Sequence, residues 1–196
     1  EAVLQHEVGH LFGSDHTFSE GGTGTYETEP ERGSSIMSYG KHYDIFFSLP
    51  CIYKIKEKFT AYGTGYYTDK ERKNLVGLPN ENSVYGVETH NRPPVIDRSK
   101  LKNSYTIPPE TNFQFYIPAT DPDADPLLYA AHQADFVLKA GDKNKARFTA
   151  FPFSADPLFV FQDRFHNDYW ETEPYSYLSK GETGEFTFWL SANDGA

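Results

Sequence analysis

Three histidines near the start of the chain are spaced to bind one metal ion. His6 and His10 are four residues apart, which on an α-helix places both side chains on one face, a turn apart. Glu7, beside them, can bring its carboxylate to a water on that ion. Gly13 can end the helix in a left-handed turn, so that His16 returns as a third nitrogen ligand. Three protein ligands leave one tetrahedral position open, as in a catalytic zinc site.

The alternative interpretation is that these histidines are solvated side chains on a surface helix. At ordinary residue frequencies, three histidines, a glutamate and a glycine at these positions would arise by chance in on the order of one in 10⁵ chains of this length. Two histidines and a glutamate alone would be much weaker evidence. The complete spacing therefore favours a metal site.

A second pattern follows the third histidine. Residues 35–39 read Ser-Ile-Met-Ser-Tyr, and Met37 is the single methionine of the chain. The pattern His-Glu-x-x-His-x-x-Gly-x-x-His followed by a methionine-containing turn resembles the metzincin clan of zinc endopeptidases. The resemblance implies that Met37 lies beneath the three imidazoles as an apolar base. A core methionine that fills a gap is the alternative.

The resemblance also suggests a role for Tyr39. In astacin-like and serralysin-like metzincins a tyrosine at this position can approach the metal and stabilise an oxyanion, whereas an ordinary buried or rim tyrosine is the alternative. Thr17, directly after the third histidine, matches none of the residues that mark adamalysins, astacins, matrixins or serralysins. The layout is most similar to bacterial reprolysin-like (adamalysin-like) proteases, in which the turn is followed by a short helical segment and an immunoglobulin-like module.

The composition is that of a folded, acidic protein. The 196 residues are 38% hydrophobic and 16% aromatic, with a formal net charge of −10. Nucleic acids and anionic membranes bind basic patches, so neither is expected as a partner. No stretch reaches the about 20 apolar residues of a transmembrane helix. Cys51 is the single cysteine, which excludes an intrachain disulfide, and we expect it to be a buried thiol.

The expected fold class is multi-domain α+β. Residues 1–90 are expected to be the C-terminal, mostly helical and loop subdomain of a metzincin catalytic domain, without the sheet subdomain that normally precedes it. The chain is thus expected to be an internal fragment of a larger protein. Helices are predicted at 1–12, 50–62 and 68–77. Residues 17–33 are predicted to form a surface loop whose glutamates are solvated, with calcium binding as the alternative.

The second predicted domain spans residues 91–196. Pro93 and Pro94 mark its start, and beyond them the hydrophobic period changes from 3.6 to 2. Apolar alternation at 113–117 and 186–190, with turn residues between the short runs, predicts strands. This alternation, together with the resemblance of the segment 105–129 to known repeats, indicates an immunoglobulin-like or cadherin-like β-sandwich, truncated at its C-terminus.

The segment from residue 105 to residue 129 resembles the cadherin-like and immunoglobulin-like repeats of bacterial surface and secreted proteins. In those repeats the sequence Thr-Asp-Pro-Asp-Gly-Asp-x-Leu-x-Tyr marks the turn between two core strands, and here Ala124 replaces the usual glycine. Asp121, Asp123 and Asp125 alternate there and could gather around a calcium ion (Ca²⁺). Solvated carboxylates in an Asp-Pro turn are the alternative. The remaining four histidines are expected to be ordinary surface or half-buried residues: His42, His90, His132 and His166.

The function expected from these patterns is that of a secreted or extracellular, bacterial, zinc-dependent endopeptidase. His6, His10 and His16 would bind Zn²⁺, Glu7 would act as general base, and Tyr39 would stabilise the oxyanion. The substrate would be a protein or peptide, and the β-module would bind substrate or a cell surface. Two alternatives remain open: a non-catalytic adhesin on a degenerate protease scaffold, and a zinc hydrolase of non-peptide substrates.

Overall fold

The computed structural model of the chain describes residues 2–19, 27–30, 32–40, 46–63, 91–135, 146–161, 181 and 183–195, with the backbone alone at 57–63. In these ranges there are two α-helices, α1 (Ala2–Leu11) and α2 (Leu49–Gly63), and a short 3-10 helix, Arg98–Lys100. Six strands follow in the second half: β1 (Val95–Ile96), β2 (Phe113–Tyr116), β3 (Ala119–Thr120), β4 (Leu128–Gln133), β5 (Leu158–Phe161) and β6 (Phe188–Asn193). We call the described residues from 91 onward the β-rich part.

Helix α1 ends just after the second histidine of the motif. Gly13 has a φ of 91°, a left-handed conformation that glycine adopts at least cost. Its N–H donates to the carbonyl of His10 at 2.9 Å, and the N–H of Ser14 donates to the carbonyl of Gly9 at 3.0 Å. This pair of bonds is a Schellman motif. The predicted helix and its left-handed end are both confirmed.

Helix α2 begins where the first-turn proline predicted a helix. Pro50 lies in the first turn, where a missing N–H costs nothing. Cys51 packs in a buried cluster with Ile36 and Met37. Burial raises the pKa of the Cys51 thiol to about 12, and the Ser48 hydroxyl donates a hydrogen bond to its sulfur at 3.4 Å. The expectation of a buried thiol is confirmed, whereas the helix predicted at 68–77 lies outside the described residues.

The six strands form three antiparallel pairs: β1 with β3, β2 with β5, and β4 with β6. In the longest pair Leu128 lies opposite Asn193 and Gln133 opposite Phe188. The predicted alternation at 113–117 is confirmed, since inward and outward residues alternate along β2. The strand predicted at 186–190 is shifted by about two residues, to Phe188–Asn193.

Aromatic rings fill the space between these pairs. The buried residues of this core are Ile117, Tyr129, Ala131, Phe148, Phe159 and Phe161. Phe113 stacks on Phe161 with centroids 5.1 Å apart and planes 11° apart. Phe188 lies edge-on to Phe148 and Phe161 at 5.1 and 5.0 Å. Ring packing, more than long hydrogen-bonded ladders, holds the β-rich part together.

The expected fold class is wrong. Apart from α1 and α2, the described residues before 91 are turns and loops, so they form no clear helical subdomain. Val3, Leu4 and Leu11 of α1 are 70–76% exposed, although a bundle of helices would bury them. The described strands are short and paired two by two, without the two larger sheets of a β-sandwich. Pro118 and Pro157, which flank strands, lack the N–H that a longer ladder requires.

Neither helix has the combination of length and apolar character needed to cross a lipid bilayer, as far as the described residues extend.

Candidate metal centre

The three histidines of the motif converge. The Nε2 atom of His10 lies 3.1 Å from that of His6 and 3.1 Å from that of His16, and the third separation, His6 to His16, is 3.2 Å. Within the described part of the chain they form the only group of three or more side chains placed to hold a metal ion. His6 is buried and the other two are half-buried. Helix α1 carries His6 and His10, and the end of this helix at Gly13 turns the chain so that His16 approaches them. The local sequence therefore brings the three histidines together.

Hydrogen bonds to backbone carbonyls fix the tautomers of two of these rings. Nδ1 of His6 donates to the carbonyl of Ile36 at 2.7 Å, and Nδ1 of His10 donates to the carbonyl of Ser14 at 2.8 Å. A carbonyl can only accept, so each Nδ1 carries the proton and each neutral ring presents a lone pair at Nε2. Two such lone pairs at 3.1 Å repel each other unless a cation lies between them. The protein therefore prepares a cation-binding geometry.

The spacing of the nitrogens fits a small tetrahedral metal ion. Two imidazole nitrogens bound to one tetrahedral zinc at ~2.05 Å are about 3.3 Å apart. The observed edges of 3.1–3.2 Å agree with that separation. Neutral imidazole is a ligand for zinc, copper, nickel and iron. The three histidines can bind a metal ion.

The electrostatics favour the neutral, metal-binding form of the third histidine. Burial is the main cause that lowers the pKa of His16, and the neighbouring His10 and His6 lower it further. Asp15 and Glu7 act in the opposite direction, which places the Glu7 carboxylate close enough for its charge to be felt at the cluster. Glu7 itself is exposed on α1.

Met37 packs directly against the helix that carries the first two histidines. It is fully buried, and a Cβ built on Gly9 would overlap its Sδ and lie 3.0 Å from the ring of Phe47. The backbone carbonyl of Met37 accepts a hydrogen bond from the N–H of Thr17 at 3.2 Å. Met37 thus joins α1 to the residue that follows His16.

Thr17, which matched no metzincin subfamily, is a buried connecting residue. Its carbonyl accepts from the N–H of Glu29 at 2.8 Å, and its hydroxyl lies 3.3 Å from that of Ser35. Thr17 therefore faces the turn at 34–38.

Glu29 was expected to be solvated in a surface loop, and this expectation is wrong. Glu29 is 1% exposed. Its Oε2 accepts hydrogen bonds from the N–H of Ser34 at 2.6 Å and the N–H of Ser35 at 2.9 Å, and the hydroxyl oxygen of Ser34 lies 3.1 Å from it. Its Oε1 accepts from the hydroxyl of Ser35. The carboxylate therefore anchors the start of the turn that carries Met37, and nothing in the spacing of the acidic residues distinguished it from its neighbours.

Tyr39 lies beside the metal-binding histidines with half of its side chain exposed. Its ring centroid is 4.8 Å from that of His16 and 5.6 Å from that of His6, and it packs on Phe18 at 4.6 Å. At 52% exposure it is a rim residue that a bound molecule could contact. Its role as an oxyanion stabiliser stays a prediction.

The three aspartates of the predicted calcium site do not come together. Oδ1 of Asp121 accepts from the N–H groups of Asp123 and Asp125 at 2.7 and 3.1 Å, as in an Asx turn. The carboxylate of Asp123 binds Arg92, whose hydrogen bonds and charge lower its pKa. Ala124 has a φ of 64°, so the turn keeps the left-handed position although glycine is absent. The structure supports the turn interpretation.

His132 was expected to be an ordinary surface or half-buried histidine, and the structure places it in the interior with 1% exposure. The other three of that group, His42, His90 and His166, lie outside the described residues. The sequence offered one signal of this burial, because His132 lies within the largely apolar segment that forms strand Leu128–Gln133.

Comparisons with protein families, with curated proteins and with solved structures find no match to this chain. The functional inference therefore depends on the residues and geometry of the site itself.

Proposed function

We propose that the protein is a secreted, zinc-dependent endopeptidase of the metzincin type that cleaves protein or peptide substrates. The observation that carries the proposal is the triangle of Nε2 atoms from His6, His10 and His16, with edges of 3.1–3.2 Å, next to Glu7 on the same helix. The packing of Met37 against Gly9 supports it, because the turn then forms a floor directly under α1.

The three histidines would hold the zinc through Nε2, with the rings of His6 and His10 oriented by Ile36 and Ser14. A zinc ion in such a site acts as a Lewis acid and lowers the pKa of a water to about 7.

Two exposed side chains beside the site would act on the substrate. Glu7 accepts the proton of the attacking water and then passes it to the leaving amine. Tyr39 donates a hydrogen bond from its hydroxyl to the negative charge that develops on the oxygen of the carbonyl group under attack. Both residues are exposed, as groups that contact substrate must be.

Substitution of the general base separates metal binding from catalysis. Glu7→Gln is expected to keep a full complement of zinc and to lower the rate of casein cleavage by about 10²–10⁴, because the proton acceptor is lost while the ligands remain. His10→Ala is expected to lose both zinc and cleavage. Glu185→Gln, the same chemical change at an exposed position of the β-rich part, is the matched control and should change neither.

The assays are zinc content after dialysis and casein cleavage by the full-length protein, with and without a chelator and after zinc is restored. Cleavage by Glu7→Gln at the wild-type rate contradicts the mechanism. Cleavage that survives the chelator contradicts the assignment of zinc.

A further inference from the structure

His132 connects the β-rich part to helix α2. Nδ1 of this buried ring accepts a hydrogen bond from the N–H of Leu49 at 3.0 Å, and Nε2 donates to the carbonyl of Phe151 at 2.7 Å. Leu49 is the first residue of α2, where backbone N–H groups have no partner inside the helix. One side chain on β4 therefore provides the missing acceptor of α2 and also holds the segment around residue 151.

Helix α2 in turn contacts the groups that orient the metal-binding histidines. Cys51 packs against Ile36 and Met37, and its carbonyl accepts a hydrogen bond from the hydroxyl of Ser14 at 3.5 Å. The carbonyls of Ile36 and Ser14 are the two that fix the tautomers of the metal-binding rings. A shift in the first turn of α2 would move both acceptors.

A second contact leads from the same β-rich segment to the turn at 34–38. The hydroxyl of Ser34 donates to the carbonyl of Ala150, and its oxygen lies 3.1 Å from the buried carboxylate of Glu29. Ala150 directly precedes Phe151, so adjacent residues of one segment contact the turn and the His132 ring.

We propose that His132 is a positioning residue for the metal centre: it holds the β-rich part against helix α2 and thereby sets the affinity of the three histidines for their metal ion. This inference rests on the proposed metal-dependent function. It makes the β-rich part a structural component of the site, whereas the sequence suggested a separate binding module.

The His132 ring makes these two hydrogen bonds in its neutral form. Nδ1 must be unprotonated to accept from Leu49, and burial lowers the pKa of His132, which keeps the ring neutral. The charged group that acts in the opposite direction is Glu29, while the rings packed against His132, those of Phe46 and Phe153, are uncharged. The hydrogen bond from Leu49 to His132 is fully present above the ordinary imidazole pKa, and it is lost as the pH falls through the lowered pKa of His132.

The test measures zinc affinity of the full chain by competition with a chelating dye at neutral pH. His132→Phe keeps a ring but removes both hydrogen bonds, and we expect it to weaken zinc binding about tenfold, as for other residues that support metal ligands. His132→Asn keeps an acceptor for Leu49 and does not titrate. It should bind zinc nearly as tightly as wild type.

Phe159→Leu is the matched control for stability. It removes ring volume from the aromatic core and makes neither hydrogen bond, so it should lower the unfolding temperature and leave zinc affinity unchanged in the folded state. The inference is overturned if folded His132→Phe binds zinc as tightly as wild type, or if Phe159→Leu loses as much affinity.

If His132→Phe does not fold, His132→Leu, which also lacks both hydrogen bonds, decides, and zinc binding as tight as that of wild type overturns the inference. Wild-type protein that binds no zinc would overturn the proposed function itself. That result is distinct from a His132 substitution that leaves zinc affinity unchanged, which overturns the positioning role alone.

Discussion

Gly9→Ala tests whether Met37 lies beneath the metal-binding helix. A Cβ at position 9 would overlap the Sδ of Met37, lie 3.2 Å from its Cε and lie 3.0 Å from the ring of Phe47. Met37 is fully buried, so its side chain has no open space in which to move aside. The added methyl group therefore has to displace either the methionine or the helix.

The magnitude is the difference between two opposing effects. Overpacking a close-packed interior costs about 1–3 kcal/mol. Alanine is about 1 kcal/mol more favourable than glycine inside a helix, which offsets part of that cost. Gly9→Ala should therefore destabilise the protein by up to about 2 kcal/mol. Met37→Ala alone should cost about 2–5 kcal/mol because it leaves a cavity.

In the Met37→Ala background, Gly9→Ala should change the free energy of unfolding in the opposite direction. With Met37→Ala present, the new methyl group no longer meets sulfur, and the ring of Phe47 can shift into the space that the methionine leaves, so the gain in helix propensity of about 1 kcal/mol dominates. Gly9→Ala should then be stabilising, with a coupling of at least about 1 kcal/mol between the two positions.

Urea denaturation of the zinc-loaded protein, followed by far-ultraviolet circular dichroism, measures all four members of this cycle. Zinc affinity of the single Gly9→Ala variant should also fall, because a displaced turn moves the Ile36 carbonyl away from His6. The reasoning is refuted if Gly9→Ala destabilises both backgrounds by the same amount.

Three further predictions follow from the described contacts. Ala124→Gly should raise the free energy of unfolding, measured by urea denaturation, by up to about 1 kcal/mol. The left-handed alanine is strained by about 1–2 kcal/mol, and the greater chain entropy of unfolded glycine offsets part of the gain. A loss of stability would contradict the left-handed turn. The Cys51 thiol, with its pKa raised to about 12, should react with a disulfide reagent at neutral pH only after denaturant is added, and rapid labelling of the native protein would contradict its burial. Zinc at about a thousand times its dissociation constant should stabilise the fold by about 4 kcal/mol, measured as a rise in the unfolding temperature. His10→Ala should abolish this rise, and an equal rise in the unfolding temperature of both proteins would place the zinc elsewhere.

The parts of the site that sequence predicted are those with local causes. Helix α1, its left-handed end at Gly13 and the convergence of the histidines all depend on residues between 2 and 16. The position of α2 was equally accessible, since Pro50 and the apolar residues after it mark a helix start.

The errors concern burial and long-range partners. Glu29 was expected in solvent and is enclosed by Ser34 and Ser35, and His132 was expected near the surface and instead bridges two distant segments. The fold class was wrong for a related reason. Alternation of apolar residues predicts that a strand exists but not how many neighbours it pairs with, and the strands that the structure describes pair two by two.

The amino-acid sequence by itself determined which side chains meet, because His6 and His10 lie one turn apart on α1 and Gly13 ends that helix so that His16 approaches them. Only the tertiary structure decided what holds those rings in place. The carbonyl of Ile36, the buried Glu29 carboxylate and the His132 bridge come from residues 20 to about 130 positions away, and such contacts form only when the chain packs. A local motif can supply ligands, but their orientation depends on hydrogen-bond partners that no local spacing encodes.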